Sequence, residues 1–324
     1  MPLTRRRMIL GTAALTLLPF GPLRAGPATH VIGGSAFGST WRLVLPSSVD
    51  AARARRAIET TVARVDAAMS PWRADSEVAL FNASASTGWH AMSAATLAVT
   101  ATAQDIARLT AGAFDPTVGP LVARYGFGPI SGTNTGLEAL ELDTGGALRK
   151  RAPGLTLDLC GIAKGYALDR AAELLQDEGI TSAVLELGGE VLAIGSHPSG
   201  RAWQAAIGRP GADPLAVQRI VSPGSLALAT SGHLPQGHAG PRGTVSHLID
   251  PDTAKPASGP LVAVSVLAAT GCRADALATA LTVLGSVDGP ALARRLTIPA
   301  LFLTRNADGF DEIMTAGFAD HIIL

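Results

Sequence analysis

Apolar side chains recur three or four positions apart at Ile58, Val62, Val65 and Met69, with arginines and acids between them. This 3.6-residue period predicts an amphipathic helix over Asp50–Met69. Three more are predicted: Ala94–Leu109 with Ser93 as N-cap, Ile162–Asp177 ended by Gly179, and Arg273–Leu284. Short apolar runs predict strands at Ala183–Leu187, Glu190–Ile194, Ala202–Ile207, Leu226–Ala229, Leu261–Ala268 and Ala300–Thr304. Strands and helices do not alternate regularly, and Gly188–Gly189 between two short strands reads as a hairpin turn. The pattern therefore predicts an α+β fold with largely antiparallel sheets and packed helices. Gly33, Gly34 and Gly38 fit a strand-to-strand turn and do not match G-x-G-x-x-G. The Gly- and Pro-rich stretch Gly232–Gly243 fits a surface loop.

Composition changes this picture at the N-terminus. Arg5, Arg6 and Arg7 precede an uncharged run from Met8 to Phe20, which ends at Gly21–Pro22–Leu23–Arg24–Ala25. A basic start, a short apolar stretch and a small terminal residue form a secretory signal. The run falls short of the ~20 apolar residues a membrane span needs. Thr4–Leu10 also resembles a twin-arginine signal. The expectation is a signal peptide at 1–25, a functional domain at 26–324 and an exported, periplasmic protein. Peripheral attachment to the inner membrane stays open, and an uncleaved anchor is the alternative. Residues 1–25 hold four of the 26 basic side chains and none of the 26 acids, so the remainder is mildly acidic. No polybasic run suits nucleic acid. The 47% apolar content supplies a sizeable core, and two cysteines, Cys160 and Cys272, exclude a disulfide-dense scaffold.

Several chemistries lack their residues: no HExxH, no G-x-S-x-G elbow and no Walker loop occurs. Asp275 and Thr279 are four apart, so a carboxylate and a hydroxyl share one helix face, a hard-oxygen pair that suits Mg²⁺. Taken alone, such a pair is more often a cap or an exposed polar position. Asp158–Tyr166 places Lys164 in the first turn of a predicted helix, where a pyrophosphate would be favoured; a solvated lysine is the equal alternative. His247, in Ser246–Pro251, has an ordinary pKa suited to a general base, or it merely bonds a turn. Gly112–Pro120 carries Ala113, Phe114 and Asp115 on a rigid loop, either around a ligand or simply connecting elements.

Eight segments in collinear order bring these together: Phe37–Trp41, Met69–Glu77 with Phe81–Asn82, Gly112–Pro120, Asp158–Tyr166, Glu186–Glu190, Ala229–Gly232, Ser246–Pro251 and Ala274–Thr279. From Phe37 to Gly285 the chain resembles the ApbE family of FAD:protein FMN transferases. The resemblance implies an ApbE-like (T-fold-like) architecture and Mg²⁺-dependent transfer of FMN from FAD to a protein Thr or Ser hydroxyl, with release of AMP. The implied acceptor flavoprotein is an exported or membrane redox protein that presents this residue in a small-residue loop. Phe37, Trp72, Ala113, Phe114, Asp115, Asp158, Lys164 and Ile249 would then contact FAD. Asp275, Thr279 and the Gly161 carbonyl would hold Mg²⁺, and His247 is the candidate base. An FAD pyrophosphatase, with water as acceptor, and a flavin-binding protein without turnover remain alternatives. Phe37 stands where relatives often carry methionine, and Gly161 where many carry a small polar residue. His233–Leu234–Pro235 replaces the family's Asp or Asn and aromatic residue. If Gly161 and Asp275 share one ion, Cys160 and Cys272 should also lie close together, which opens a disulfide in an oxidising compartment.

Overall fold

The computed structural model describes residues 29–143, 145–211, 213, 215–233, 238–240 and 243–324, with backbone alone for 238–240, 243 and 244. The predicted signal at 1–25 and the pair Leu234–Pro235 lie outside them. Eight strands form one sheet whose order in space is the order along the chain. They are β1 (Thr29–Ala36), β2 (Ser39–Pro46), β3 (Ala183–Leu187), β4 (Glu190–Ile194), β5 (Ala227–Gly232), β6 (Leu261–Ala268), β7 (Ala300–Arg305) and β8 (Phe310–Thr315). Every neighbouring pair is antiparallel, as the pattern predicts.

Helices α1 (Ala51–Met69), α2 (Glu77–Ala83), α3 (Ala94–Leu109), α4 (Gly119–Arg124) and α5 (Ala163–Asp177) all lie between β2 and β3 in the chain, and α6 (Gly271–Arg295) between β6 and β7. Asp50 accepts the N–H groups of Ala52 and Arg53, and Ser93 accepts that of Thr96; these caps start α1 and α3 where the sequence places them. Because side chains alternate along a strand, each face of the sheet can bury its own set. Trp41, Leu43 and Leu45 of β2 join Leu185 and Leu187 of β3 in the core under the helices. Val184 and Val191 point the other way, against a second layer built from Trp203, Phe318 and the paired strands Ala205–Gly208 and Val217–Val221.

The structure moves several expected elements. Gly33 and Gly34 lie inside β1, not in a turn, and the turn itself is Phe37–Gly38, with φ of 51° and 73°. Gly34 makes room for Trp41: a Cβ there would stand 2.7 Å from the indole Nε1. The strand expected at Ala202–Ile207 runs Ala205–Gly208, and that at Leu226–Ala229 runs to Gly232. Gly232–Gly243 is not all loop, since His238–Gly240 pairs with Gly243–Val245. The helix expected to end at Leu284 breaks at Gly285 (φ 77°, ψ −167°) and then resumes to Arg295.

The element that positions the site is the crossing of α5 and α6. A Cβ on Gly165 would fall 2.1 Å from the Gly271 carbonyl oxygen, and one on Gly271 would fall 2.6 Å from that of Gly165. With two glycines the backbones touch, and each helix caps the other. Gly165 N–H donates to Asp275 Oδ2 at 3.1 Å. Gly271 and Cys272 N–H donate to the Asp169 carboxylate at 2.6 and 2.9 Å. Helix starts leave such N–H groups without intrahelical partners, so the crossing satisfies both ends at once. Gly→Ala in a helix normally stabilises by about 0.5–1 kcal/mol. Gly165→Ala should reverse that sign and destabilise by roughly 1–3 kcal/mol through overpacking. Denaturant unfolding checks it; a variant as stable as wild type would mean that the helices do not touch there.

Candidate active site

Ten of the twelve residues expected at the site line one cleft of about 440 Å³: Ala113, Phe114, Asp115, Asp158, Gly161, Lys164, His247, Ile249, Asp275 and Thr279. They arrive from four separate segments. The 112–120 loop brings Ala113–Asp115. Asp115 Oδ1 accepts both the N–H and the hydroxyl of Thr117 at 2.7 Å, which folds the loop onto itself. Asp158 N–H donates to the Pro116 carbonyl at 2.7 Å, so the two carboxylate-bearing segments are joined. The Asn82 side chain pairs with both backbone groups of Leu157, at 2.8 and 2.7 Å, and holds Asp158 from the other side. Asp158 Oδ1 in turn accepts the Cys160 N–H, which shapes the turn into α5.

The other two expected residues are placed elsewhere. Phe37 sits in the β1–β2 turn, half-buried against the helix-side core. That turn adjoins Gly188, whose N–H donates to the Thr40 carbonyl. Trp72 is 65% exposed and offers no aromatic wall to this cleft.

Lys164 is the cation beside the α5–α6 crossing. Its ammonium donates to Glu190 Oε1 at 2.5 Å, and Glu190 is 1% exposed. Burial opposes charge on Lys164, but the Glu190 and Asp275 carboxylates outweigh it and raise its pKa. Burial pushes the Asp115, Asp158, Asp275 and Glu190 carboxyls up, with Lys164 working against this at Asp275 and Glu190. Asp275 and Thr279 stand one turn apart on α6. Thr279 Oγ1 is 3.3 Å from Ser231 Oγ on β5 and would lie 3.4 Å from a Cβ on Gly161. A carboxylate, a hydroxyl and the Gly161 segment therefore converge beside Lys164.

His247 packs edge-on against Phe127, with ring centroids 6.1 Å apart. Its Nδ1 is buried without a hydrogen-bond partner. Burial, with Lys164 and His233 adding to it, lowers its pKa to about 4, so the ring is neutral at pH 7.

The sequence places neither Glu190, which closes the Glu186–Glu190 segment, nor Ser231 at the site, and it reads Gly188–Gly189 only as a hairpin turn. It gives no sign of Gly208–Gly211 and Asp213; these reach the cleft from the layer on the far face of the sheet. Both cysteines are free. Helices α5 and α6 run antiparallel, so Cys160 lies at the Thr279 end of the crossing and Cys272 at the Asp169 end. The seven residues from Cys272 to Thr279 span about 10 Å of helix.

Glu186, on β3, accepts the Gly189 N–H at 3.0 Å and so shapes the turn that lines the cleft. Burial raises its pKa from 4.5 to about 7. The folded state therefore holds a proton that the unfolded chain releases between those values, and stability falls as pH rises through that window. Glu186→Gln, which keeps the acceptor and removes the charge, should be neutral near pH 4.5. At pH 8 it should stabilise by about 1–3 kcal/mol, since each tenfold difference in proton affinity between the folded and unfolded chain is worth ~1.4 kcal/mol. Thermal melts at the two pH values check this, and equal effects at both would contradict it.

The family model described as the ApbE family matches residues 37–302. A FAD:protein FMN transferase of Vibrio cholerae is 35% identical over 97% of this chain and 98% of its own. One of Salmonella typhimurium is 33% identical over 92% and 91%. The solved structure of flavin transferase ApbE from Vibrio cholerae superposes with a TM-score of 0.81 at 35% identity, covering 91% of this chain and 100% of that one. The apo flavinyl transferase ApbE of Pseudomonas stutzeri gives 0.80 at 31% identity, covering 91% and 96%. The family match runs from the β1–β2 turn through both helices of the crossing into β7, and the chain belongs to the ApbE family.

Proposed function

We propose that the protein is an exported FAD:protein FMN transferase that uses Mg²⁺ and modifies a Thr or Ser of a periplasmic or membrane redox protein. The observation that carries this reading is the convergence of Lys164, Asp275, Thr279 and Gly161 at one end of a cleft large enough for a nucleotide. Similarity to relatives named for the same activity supports it.

The donor set fits Mg²⁺. Asp275 is buried with one backbone N–H on one oxygen, and the hydroxyl of Thr279 and the backbone of Gly161 supply further hard oxygen. A carboxylate, a hydroxyl and a backbone carbonyl are hard oxygen ligands of the kind Mg²⁺ takes beside phosphates. Bound there, Mg²⁺ would neutralise charge on the diphosphate oxygens.

The chain's own residues then divide the work. Lys164, held by Glu190, faces the diphosphate with a fixed positive charge. The Asp115–Asp158 wall, with Phe114 and Ile249, orients the nucleotide. The acceptor hydroxyl attacks the phosphorus of the FMN half; the new P–O bond forms as the pyrophosphate bond breaks, and AMP leaves. Neutral His247 takes the hydroxyl proton.

Membrane and periplasmic extract from source cells lacking this chain serves as acceptor, with FAD and Mg²⁺ added. Mass spectrometry should find FMN added to a Thr or Ser peptide, matched by AMP release. Asp275→Ala should abolish the Mg²⁺ dependence. His247→Ala should slow transfer by roughly 10²–10⁴-fold while FAD still binds. AMP release that is the same with and without extract, and no modified peptide, would instead favour hydrolysis.

A further inference from the structure

We propose that His233 is a positioning residue for His247, acting through the hydroxyl of Ser246. This rests on the transferase reading above, in which His247 takes the acceptor's proton.

His233 directly follows β5, at a position where this chain departs from its family's usual residues. Its backbone N–H donates to the Val262 carbonyl on β6, which anchors it to the sheet. Its Nδ1 lies 2.9 Å from Ser246 Oγ, and Ser246 is only 3% exposed. Ser246 Oγ also accepts the Leu248 N–H at 3.1 Å. A hydroxyl carries one proton and two lone pairs, so Ser246 Oγ can accept the Leu248 N–H and donate its proton to His233 Nδ1. Burial lowers the pKa of His233, consistent with a neutral ring whose Nδ1 accepts. In that arrangement the His233 ring carries its hydrogen on Nε2.

The consequence falls on the next residue. His247 stands between Ser246 and Leu248, the two residues this small network ties to the sheet. Its own Nδ1 finds no partner, so no hydrogen bond at that atom orients the ring. Orientation comes from backbone pinning on both sides and from the edge contact with Phe127. A base must be within hydrogen-bond reach of the proton it takes, and a displacement of about 1 Å can cost on the order of 100-fold. The His233–Ser246 bond therefore sets where the base stands, although His233 itself does not line the cleft.

The test compares His233→Asn, whose amide oxygen can replace Nδ1 as acceptor, with His233→Leu, which cannot accept. Each is made alone and with His247→Ala, using FAD, Mg²⁺ and the same extract as acceptor. His233→Leu should lower kcat by roughly 10- to 100-fold, with the KM for FAD and FAD affinity by fluorescence titration within about twofold of wild type. His233→Asn should recover most of the rate. In the His247→Ala background His233→Leu should add no further loss, because its effect passes through the missing ring. Ser246→Ala should repeat the His233→Leu pattern and stands in if that variant does not fold. A His233→Leu defect that persists undiminished without His247, or that appears as a raised KM for FAD, overturns the proposal. Wild-type protein that modifies no acceptor overturns the transferase reading itself, a result distinct from either.

Discussion

The site depends on two helix starts that cap one another. Asp275 of α6 accepts the Gly165 N–H in the first turn of α5, and Asp169 of α5 accepts the first two N–H groups of α6. The exchange works only because glycines let the backbones meet. It fixes the carboxylate of Asp275 relative to Lys164 and Gly161, which lie more than a hundred positions earlier in the chain. The remaining walls of the cleft are arranged around that contact: β5 brings Ser231 to Thr279, and the Gly188–Gly189 turn closes over Lys164.

The same contact concentrates negative charge. Asp275 and Glu190 share the half-buried Lys164 ammonium, and Asp115 and Asp158 lie along the same cleft. Burying a carboxylate without full compensation is costly, and the upward shift at all four groups expresses that cost. Such an arrangement suits a site that a divalent cation completes. It also explains why Lys164 is held so firmly: paired with Glu190, its charge stays in place whatever enters the cleft.

Much of this was legible in the sequence where local rules suffice. Asp50 and Ser93 mark helix starts because their side chains bond the next N–H groups. Gly188–Gly189 marks a hairpin because both residues need positive φ, 67° and 111°. What local rules do not reach is contact across the fold. Gly34 reads as a turn residue until Trp41 is seen packed over it. The Lys164–Glu190 pair spans 26 positions, and no spacing rule links them. Gly208–Asp213 carries no motif and reaches the cleft only because its layer covers the second face of the sheet. The two cysteines were expected together because their neighbours converge; the antiparallel run of α5 and α6 instead sends them to opposite ends of the crossing.

The central claim is that the crossing assembles an oxygen-ligand site for a divalent cation. Titration of the protein with Mn²⁺ as a spin-active substitute for Mg²⁺, in the presence of FAD and followed by electron paramagnetic resonance, tests it directly. The account predicts one saturable site per chain that Mg²⁺ displaces and that Asp275→Asn removes while the fold is retained. Undiminished Mn²⁺ binding in the folded Asp275→Asn variant would contradict it.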